Sequence, residues 1–309
     1  MNATAKLPPL LAGRYAPVRL IARGGMGIVY EVEHARTGER LALKVLPAGV
    51  GASPEVLERF KREARASARI KSEHVVRVID ADVAPELNGA PFLVMELLEG
   101  MDLEHRAVEA PPDRPTIVDW LRQIAAAIDK ANGLGMIHRD LKPENLFIAT
   151  REDGAPIVKV LDFGIVKMGD PGGTITGSDE IIGTPRYMAP EQATPGARVT
   201  SACDRYALGL VAYRLLAGET YFRGDVLDVV AHLLHKPLEP PSKRHPELGS
   251  AFDAWFARAC ARQPEKRFAT AGEQVDALAG VLGVGRHGAA LSATLTWLNL
   301  PDDVVGGQS

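Results

Sequence analysis

In the first hundred positions apolar and polar residues alternate over short runs. Residues 20–23, 27–33 and 40–46 are rich in Val, Ile and Leu and are separated by glycine turns, which predicts three short strands. Ser53-Pro54-Glu55 then carries helix-start signals: a capping hydroxyl, a proline at the first helical position and an acid in the first turn. Leu57, Phe60, Ala64 and Ser67/Ala68 follow at helical spacing with basic residues between them. Two more strands are expected at 75–79 and 91–97. Beyond Gly100 the period becomes helical. Thr116 with Asp119 has the form of a capping box, and Ile117, Leu121, Ile124, Ile128 and Ala131 make a stripe that ends at Gly133 and Gly135. Further helices are expected at about 202–217, 225–234, 250–261 and 270–282. The stretch 165–200, rich in Gly, Pro, Thr and Ser, reads as a long loop, and such loops inside compact domains tend to be functional. No internal repeat occurs. The pattern gives a small β-rich lobe, a linker at 96–101 and a larger helical lobe.

Composition narrows this picture without adding chemistry. The chain has 309 residues, 46% hydrophobic and 24% charged, enough for one large domain or two modest ones and too apolar for a disordered chain. Lys and Arg number 36 against 39 acids, a net charge of −3, so no basic excess marks a nucleic-acid or anionic-membrane partner. The two cysteines, Cys203 and Cys260, exclude a disulfide framework and suit a reducing compartment. The longest apolar runs, 206–213 and 289–300, are too short to span a bilayer, and the N-terminus has no signal-peptide pattern. A cytoplasmic location is therefore expected.

Chemistry enters with Ile137-His138-Arg139-Asp140-Leu141-Lys142-Pro143-Glu144-Asn145, followed by Asp162-Phe163-Gly164 and Ala189-Pro190-Glu191. In this order and spacing the segments resemble the eukaryotic-like (Hanks-type) serine/threonine protein kinases of bacteria. The resemblance covers about residues 14–282. It implies an α+β bilobal kinase fold, with an N-lobe at about 14–97, a C-lobe at about 101–282, an extension at 1–13 and a tail at 283–309. It also implies ATP- and Mg²⁺-dependent transfer of the γ-phosphate to Ser or Thr of protein substrates. The residues suit that chemistry in their own right. Phosphoryl transfer needs positioning and charge neutralisation more than covalent steps. Asp162 and Asn145 offer oxygen ligands for magnesium. Asp140, five residues before Asn145, can orient a substrate hydroxyl, and Lys142 can neutralise the moving phosphate.

By the same resemblance Lys44 grips the ATP phosphates and Glu63 holds Lys44. On the residues alone, Lys44 could be a strand gatekeeper and Glu63 a surface acid. The glycine pattern falls on Ala22-Arg23-Gly24-Gly25-Met26-Gly27, with alanine in place of the first glycine, so Ala22, Gly24, Gly25, Gly27 and Val29 are assigned to the phosphate cradle. An ordinary hairpin turn is the plain alternative. Met95, Glu96 and Leu98 match the hinge against adenine and Asp102 the ribose contact. Met95 could equally be core filling and Asp102 a helix N-terminal acid.

Arg139 beside Asp140 suggests control by loop phosphorylation, and by the resemblance Thr176 and Ser178 fall where related kinases carry such sites, with Thr174 a further candidate. Autophosphorylation in trans, and with it self-association, is expected, and a plain solvated loop is the alternative. Thr184, Glu191, Asp204 and Arg267 match structural positions of the family. His232 and His235 read as a helix face, since no further ligand completes a zinc set. Leu291, Leu295, Trp297 and Leu298 could form a short amphipathic turn docked on the large lobe. Two other classes compete: a pseudokinase scaffold, favoured only by Ala22, and a small-molecule kinase, which lacks the Ala189-Pro190-Glu191 element.

Overall fold

The computed structural model describes residues 9–25, 27–47, 54–151, 153–163 and 185–285. Five antiparallel strands form the N-terminal sheet: β1 (Tyr15–Gly24), β2 (Gly27–His34), β3 (Arg40–Val45), β4 (Val78–Ala84) and β5 (Ala90–Glu96), in spatial order β1-β2-β3-β5-β4. The twofold period of a strand sorts side chains to the two faces of this sheet. Leu41, Leu43 and Val45 of β3 join Tyr15, Tyr30, Phe92 and Val94 in one buried cluster. Ala42 and Leu46 join Leu93 and Met95 in another, beneath Phe60 and Ala64 of helix α1 (Pro54–Ser67). Lys44 has the parity of Ala42 and Leu46, so the pleat turns it toward the helix side, where the two lobes meet.

Gly27 is needed where β2 begins. Its φ is +124°, and a Cβ there would lie 2.1 Å from the Val45 carbonyl oxygen. We expect Gly27→Ala to cost about 1–3 kcal/mol and to push β2 off β3. Gly24, whose added Cβ would meet nothing within 4 Å, should tolerate the same change. Thermal melting of the two variants side by side checks this, and equal melting points would refute it.

The C-terminal lobe is built on α2 (Leu103–Glu109), α3 (Arg114–Gly133), α4 (Ala202–Ala217), α5 (Val226–His235), α6 (Gly249–Ala259) and α7 (Ala271–Val281). The apolar stripe of α3 is wholly buried. Helix α4 is buried on nearly every side and passes so close to α6 that a Cβ on Gly209 would sit 2.8 Å from Cys260 Sγ. On α3, Asp129 accepts from Ala271 and Gly272 N–H (2.8 and 2.9 Å), capping the start of α7.

Several expectations need correction. Helix α3 is capped by Asp113, which accepts from Thr116 N–H at 2.9 Å. Asp119 instead takes a bond from Gln123, so the expected capping box is displaced by one turn. The strand expected at 75–79 begins only at Val78. Val75 and Val76 turn to the other lobe, where Val76 N–H meets Val160 O and Val160 N–H meets His74 O. Helix α2 and a three-stranded sheet were not foreseen. The sheet has β6 (Gly100–Asp102), β7 (Leu146–Thr150) and β8 (Pro156–Val160), in order β6-β7-β8. Its strands of three to five residues are too short to show a period, and their partner β6 lies more than forty positions upstream.

Candidate active site

The loop between α3 and β7 is fixed through its backbone. Asp204, near the start of α4 and 1% exposed, accepts from His138 N–H and Arg139 N–H, both at 2.9 Å. His138 is fully buried. Its Nδ1 accepts from Asp140 N–H (3.2 Å), so its proton sits on Nε2, which donates to Leu161 O at 2.7 Å. The His138 ring also packs edge-on against Phe163. Arg139 is held at φ +64°, left-handed backbone that a non-glycine residue keeps only when its surroundings insist.

These braces present a compact polar group. Asn145 Nδ2 donates to Asp140 O (2.8 Å) and to Asp140 Oδ2 (3.1 Å). Lys142 Nζ lies 3.0 Å from the same Oδ2. Asp140 is thus an oriented carboxylate with a cation beside it, in position to accept a hydroxyl proton. Beside this group, where Leu161 N–H bonds Asn145 O, Asp162 Oδ2 meets Lys44 Nζ at 2.6 Å, and Asp162 too has a positive φ, +55°. With its N–H₂ spent on Asp140, Asn145 keeps its amide oxygen as a donor for a hard cation. Among the described residues no group of three or more His, Cys, Asp or Glu could hold a metal alone. Asp162 and Asn145 offer oxygen donors of the kind a hard cation such as magnesium prefers.

A protein kinase domain model matches residues 15–276. The chain belongs to the protein kinase family. It is a Hanks-type serine/threonine kinase domain of the bacterial kind. It is 42% identical over 272 residues to the serine/threonine-protein kinase Pkn1 of Myxococcus xanthus, covering 87% of this chain and 38% of that protein. PknH of Mycobacterium bovis is 40% identical over 264 residues, covering 84% of this chain and 43% of PknH. The chain thus spans about two fifths of the length of these curated relatives. The crystal structure of the Mycobacterium tuberculosis PknI kinase domain superposes with a TM-score of 0.71 at 28% identity, covering 90% of this chain and all of that one.

In this kinase domain the expected pair of Lys44 with Glu63 is not formed. The lysine, 7% exposed, takes Asp162 as its carboxylate. Glu63 lies half-buried on α1 with Arg139, Arg62 and Arg59 as its cations. Burial raises its pKa above the usual carboxylate value, and those arginines oppose the shift. A buried ammonium must have a carboxylate, and Asp162 satisfies it without any movement of α1.

Val29, Ala42, Met95, Leu97, Leu98 and Leu161 belong to one apolar cluster on the α1 side of the N-terminal sheet. Ala42 and Leu161 were not picked out in the sequence. Both were legible by position, Ala42 as the residue two before Lys44 and Leu161 as the residue just before Asp162. Ala22 and Gly24 sit exposed on β1, opposite Val29 and Gly27 of β2, and Gly25 lies at the hairpin tip. Glu96 turns its carboxylate away from the cleft, accepting from Arg77 N–H (2.8 Å) and Lys159 Nζ (2.7 Å), which ties β5 to β8. Asp102 is the N-cap of α2, bonded to His105 N–H (2.9 Å) and His105 Nδ1 (2.7 Å).

Glu191 and Arg267 form a buried pair with two parallel bonds, 2.6 and 2.8 Å. His232 lies against Tyr221 and Phe222 in the helix-face role expected for it. Met26, Ser53, Gly164, Thr174, Thr176, Ser178, Thr184 and the tail from residue 286 fall outside the described residues. Among those described, no helix is long and apolar enough to cross a membrane.

Proposed function

We propose that this kinase domain transfers the γ-phosphate of ATP to Ser or Thr hydroxyls of protein substrates, with Mg²⁺ as the metal. The observation that carries the reading is the Asp140, Lys142 and Asn145 cluster beside the Lys44–Asp162 pair, to which the bond from Leu161 N–H to Asn145 O ties it. In it Asp140 orients the acceptor hydroxyl and takes its proton, and Lys142 balances charge on the transferred group. Lys44 holds the α and β phosphates. Asp162 and Asn145 would hold the metal, which when bound would neutralise charge on the phosphate oxygens. The apolar slot of Val29, Ala42, Met95 and Leu98 suits a purine face, with Ala22, Gly24, Gly25 and Gly27 over the phosphates. Asp102 reaches the ribose only by sharing its oxygens with the α2 cap. The present pairing of Lys44 with Asp162 suits a resting state, and activation brings Glu63 to Lys44. ATP as donor implies a cytoplasmic site of action.

Incubation with labelled ATP and Mg²⁺ and a generic basic protein tests the activity. Label is expected on Ser and Thr, with turnover of ~1–100 per second for the active enzyme. ATP binding without transfer would favour a scaffold. Control by self-association and trans-autophosphorylation predicts phosphate on Thr174, Thr176 or Ser178 after ATP treatment. Mass spectrometry finding 174–178 unmodified in active enzyme would remove that part.

A further inference from the structure

One peptide group in the catalytic loop is gripped at both of its polar atoms. The carbonyl of Arg139 accepts from Gln192 Nε2 at 2.8 Å, and the N–H of Asp140, across the same peptide bond, donates to His138 Nδ1 at 3.2 Å. The two residues flanking this plane are fixed as well. Asp204 holds Arg139 N–H, and Asn145 holds Asp140 O. Gln192 is 6% exposed and belongs to the short turn Pro190–Gln192. None of the roles assigned above requires it.

The geometry points to Gln192 as a positioning residue for Asp140, acting through the Arg139–Asp140 peptide plane. This rests on the assignment of Asp140 as the proton acceptor. Arg139 is kept left-handed at φ +64°, so the plane is not at its intrinsic minimum and relaxes when a restraint is lost. Rotation of the plane swings the Cα–Cβ bond of Asp140, and with it the carboxylate that must meet the substrate hydroxyl.

The amide of Gln192 can face only one way. Its Oε1 accepts from Ala189 N–H at 3.1 Å, so a flipped amide would set N–H against N–H at one end and oxygen against oxygen at the other. Its neighbour Glu191 is clamped by Arg267. The turn carrying Ala189, Glu191 and Gln192 therefore delivers one rigid donor to the catalytic loop. Displacement of that turn would be felt at Asp140 directly.

The test compares Gln192→Glu and Gln192→Ala with the parent and with Asp140→Asn, using labelled ATP and a generic basic protein. Glutamate keeps the acceptor for Ala189 N–H but puts an anionic oxygen against the Arg139 carbonyl. At pH 8 the expected result for Gln192→Glu is a roughly 10- to 100-fold lower kcat, with KM for ATP within about twofold. As pH falls toward 6 the Gln192→Glu deficit should narrow, because burial raises the carboxyl pKa and the protonated acid regains a donor. Gln192→Ala should stay low at every pH. A kcat within about twofold of the parent for both variants at pH 8 overturns the inference, as does a Gln192→Glu deficit that is flat with pH. If Gln192→Glu no longer binds ATP, Gln192→Ala decides alone, where lost turnover with intact ATP affinity supports the role and parental turnover removes it. Retained turnover in Asp140→Asn instead unseats the proton acceptor itself.

Discussion

Asp140→Asn is expected to lower kcat by roughly 10²–10⁴-fold, the range for removing a positioned general base, while KM for ATP and the melting point stay near the parent's. The substitution is nearly isosteric. Asp140 Oδ2 now accepts from Asn145 Nδ2 at 3.1 Å and lies 3.0 Å from Lys142 Nζ. An asparagine can keep those partners only by turning its amide oxygen toward them. Its N–H₂ then faces the substrate hydroxyl, where an acceptor is required. At 1.36 kcal/mol per tenfold, the loss corresponds to about 3–5 kcal/mol of transition-state stabilisation. Steady-state kinetics with ATP varied at saturating protein substrate separates this from a binding defect. A raised KM with unchanged kcat would contradict the role given to Asp140.

Arg267→Ala should produce the largest loss of stability, about 3–5 kcal/mol, as expected when one partner of a buried ion pair is removed. All five N–H donors of Arg267 are used. Two go in parallel to Glu191, at 2.6 and 2.8 Å, and three to the carbonyls of Ala202, Ala261 and Arg262, at 2.8, 2.8 and 3.3 Å. The guanidinium also lies over the Tyr206 ring, 4.9 Å from its centre. Alanine leaves a buried carboxylate and three carbonyls unanswered. Lysine keeps the charge but cannot reproduce the fork, so Arg267→Lys should recover only part of the loss. Urea unfolding of Arg267→Ala, Glu191→Ala and the double variant measures the coupling. Additive losses from the two single changes would mean that the pair acts as separate residues.

The sequence was most informative where one physical requirement acts on contiguous residues. The buried stripe from Ile117 to Ala131 and the glycine-spaced strands before Arg40 were visible because burial imposes a period on them. The candidate catalytic residues stood out because a base, a cation and a metal ligand would have to share one short loop. Helix boundaries came out within a residue or two for α4 and α5 and less closely for the start of α3, where Asp113 takes the capping role.

What remained hidden consists of contacts between distant segments. The β6-β7-β8 sheet, the docking of Val75 and Val76 on β8, and the choice of Asp162 as partner for Lys44 each join residues far apart in the chain. Gln192 carries no recognisable signal in the string, being one more polar residue after Ala189-Pro190-Glu191.

By itself, then, the order of residues determined the family and the two-lobed division and singled out the candidate reactive groups, because local periodicity and a dense motif encode them. Only the tertiary structure decided which carboxylate neutralises Lys44, that Glu96 and Asp102 spend their side chains on structural bonds, and that Gln192 and Asp204 fix the backbone under Asp140. Those outcomes depend on which buried charge or strained peptide finds a partner within about 3 Å, and that distance exists only once the chain has folded.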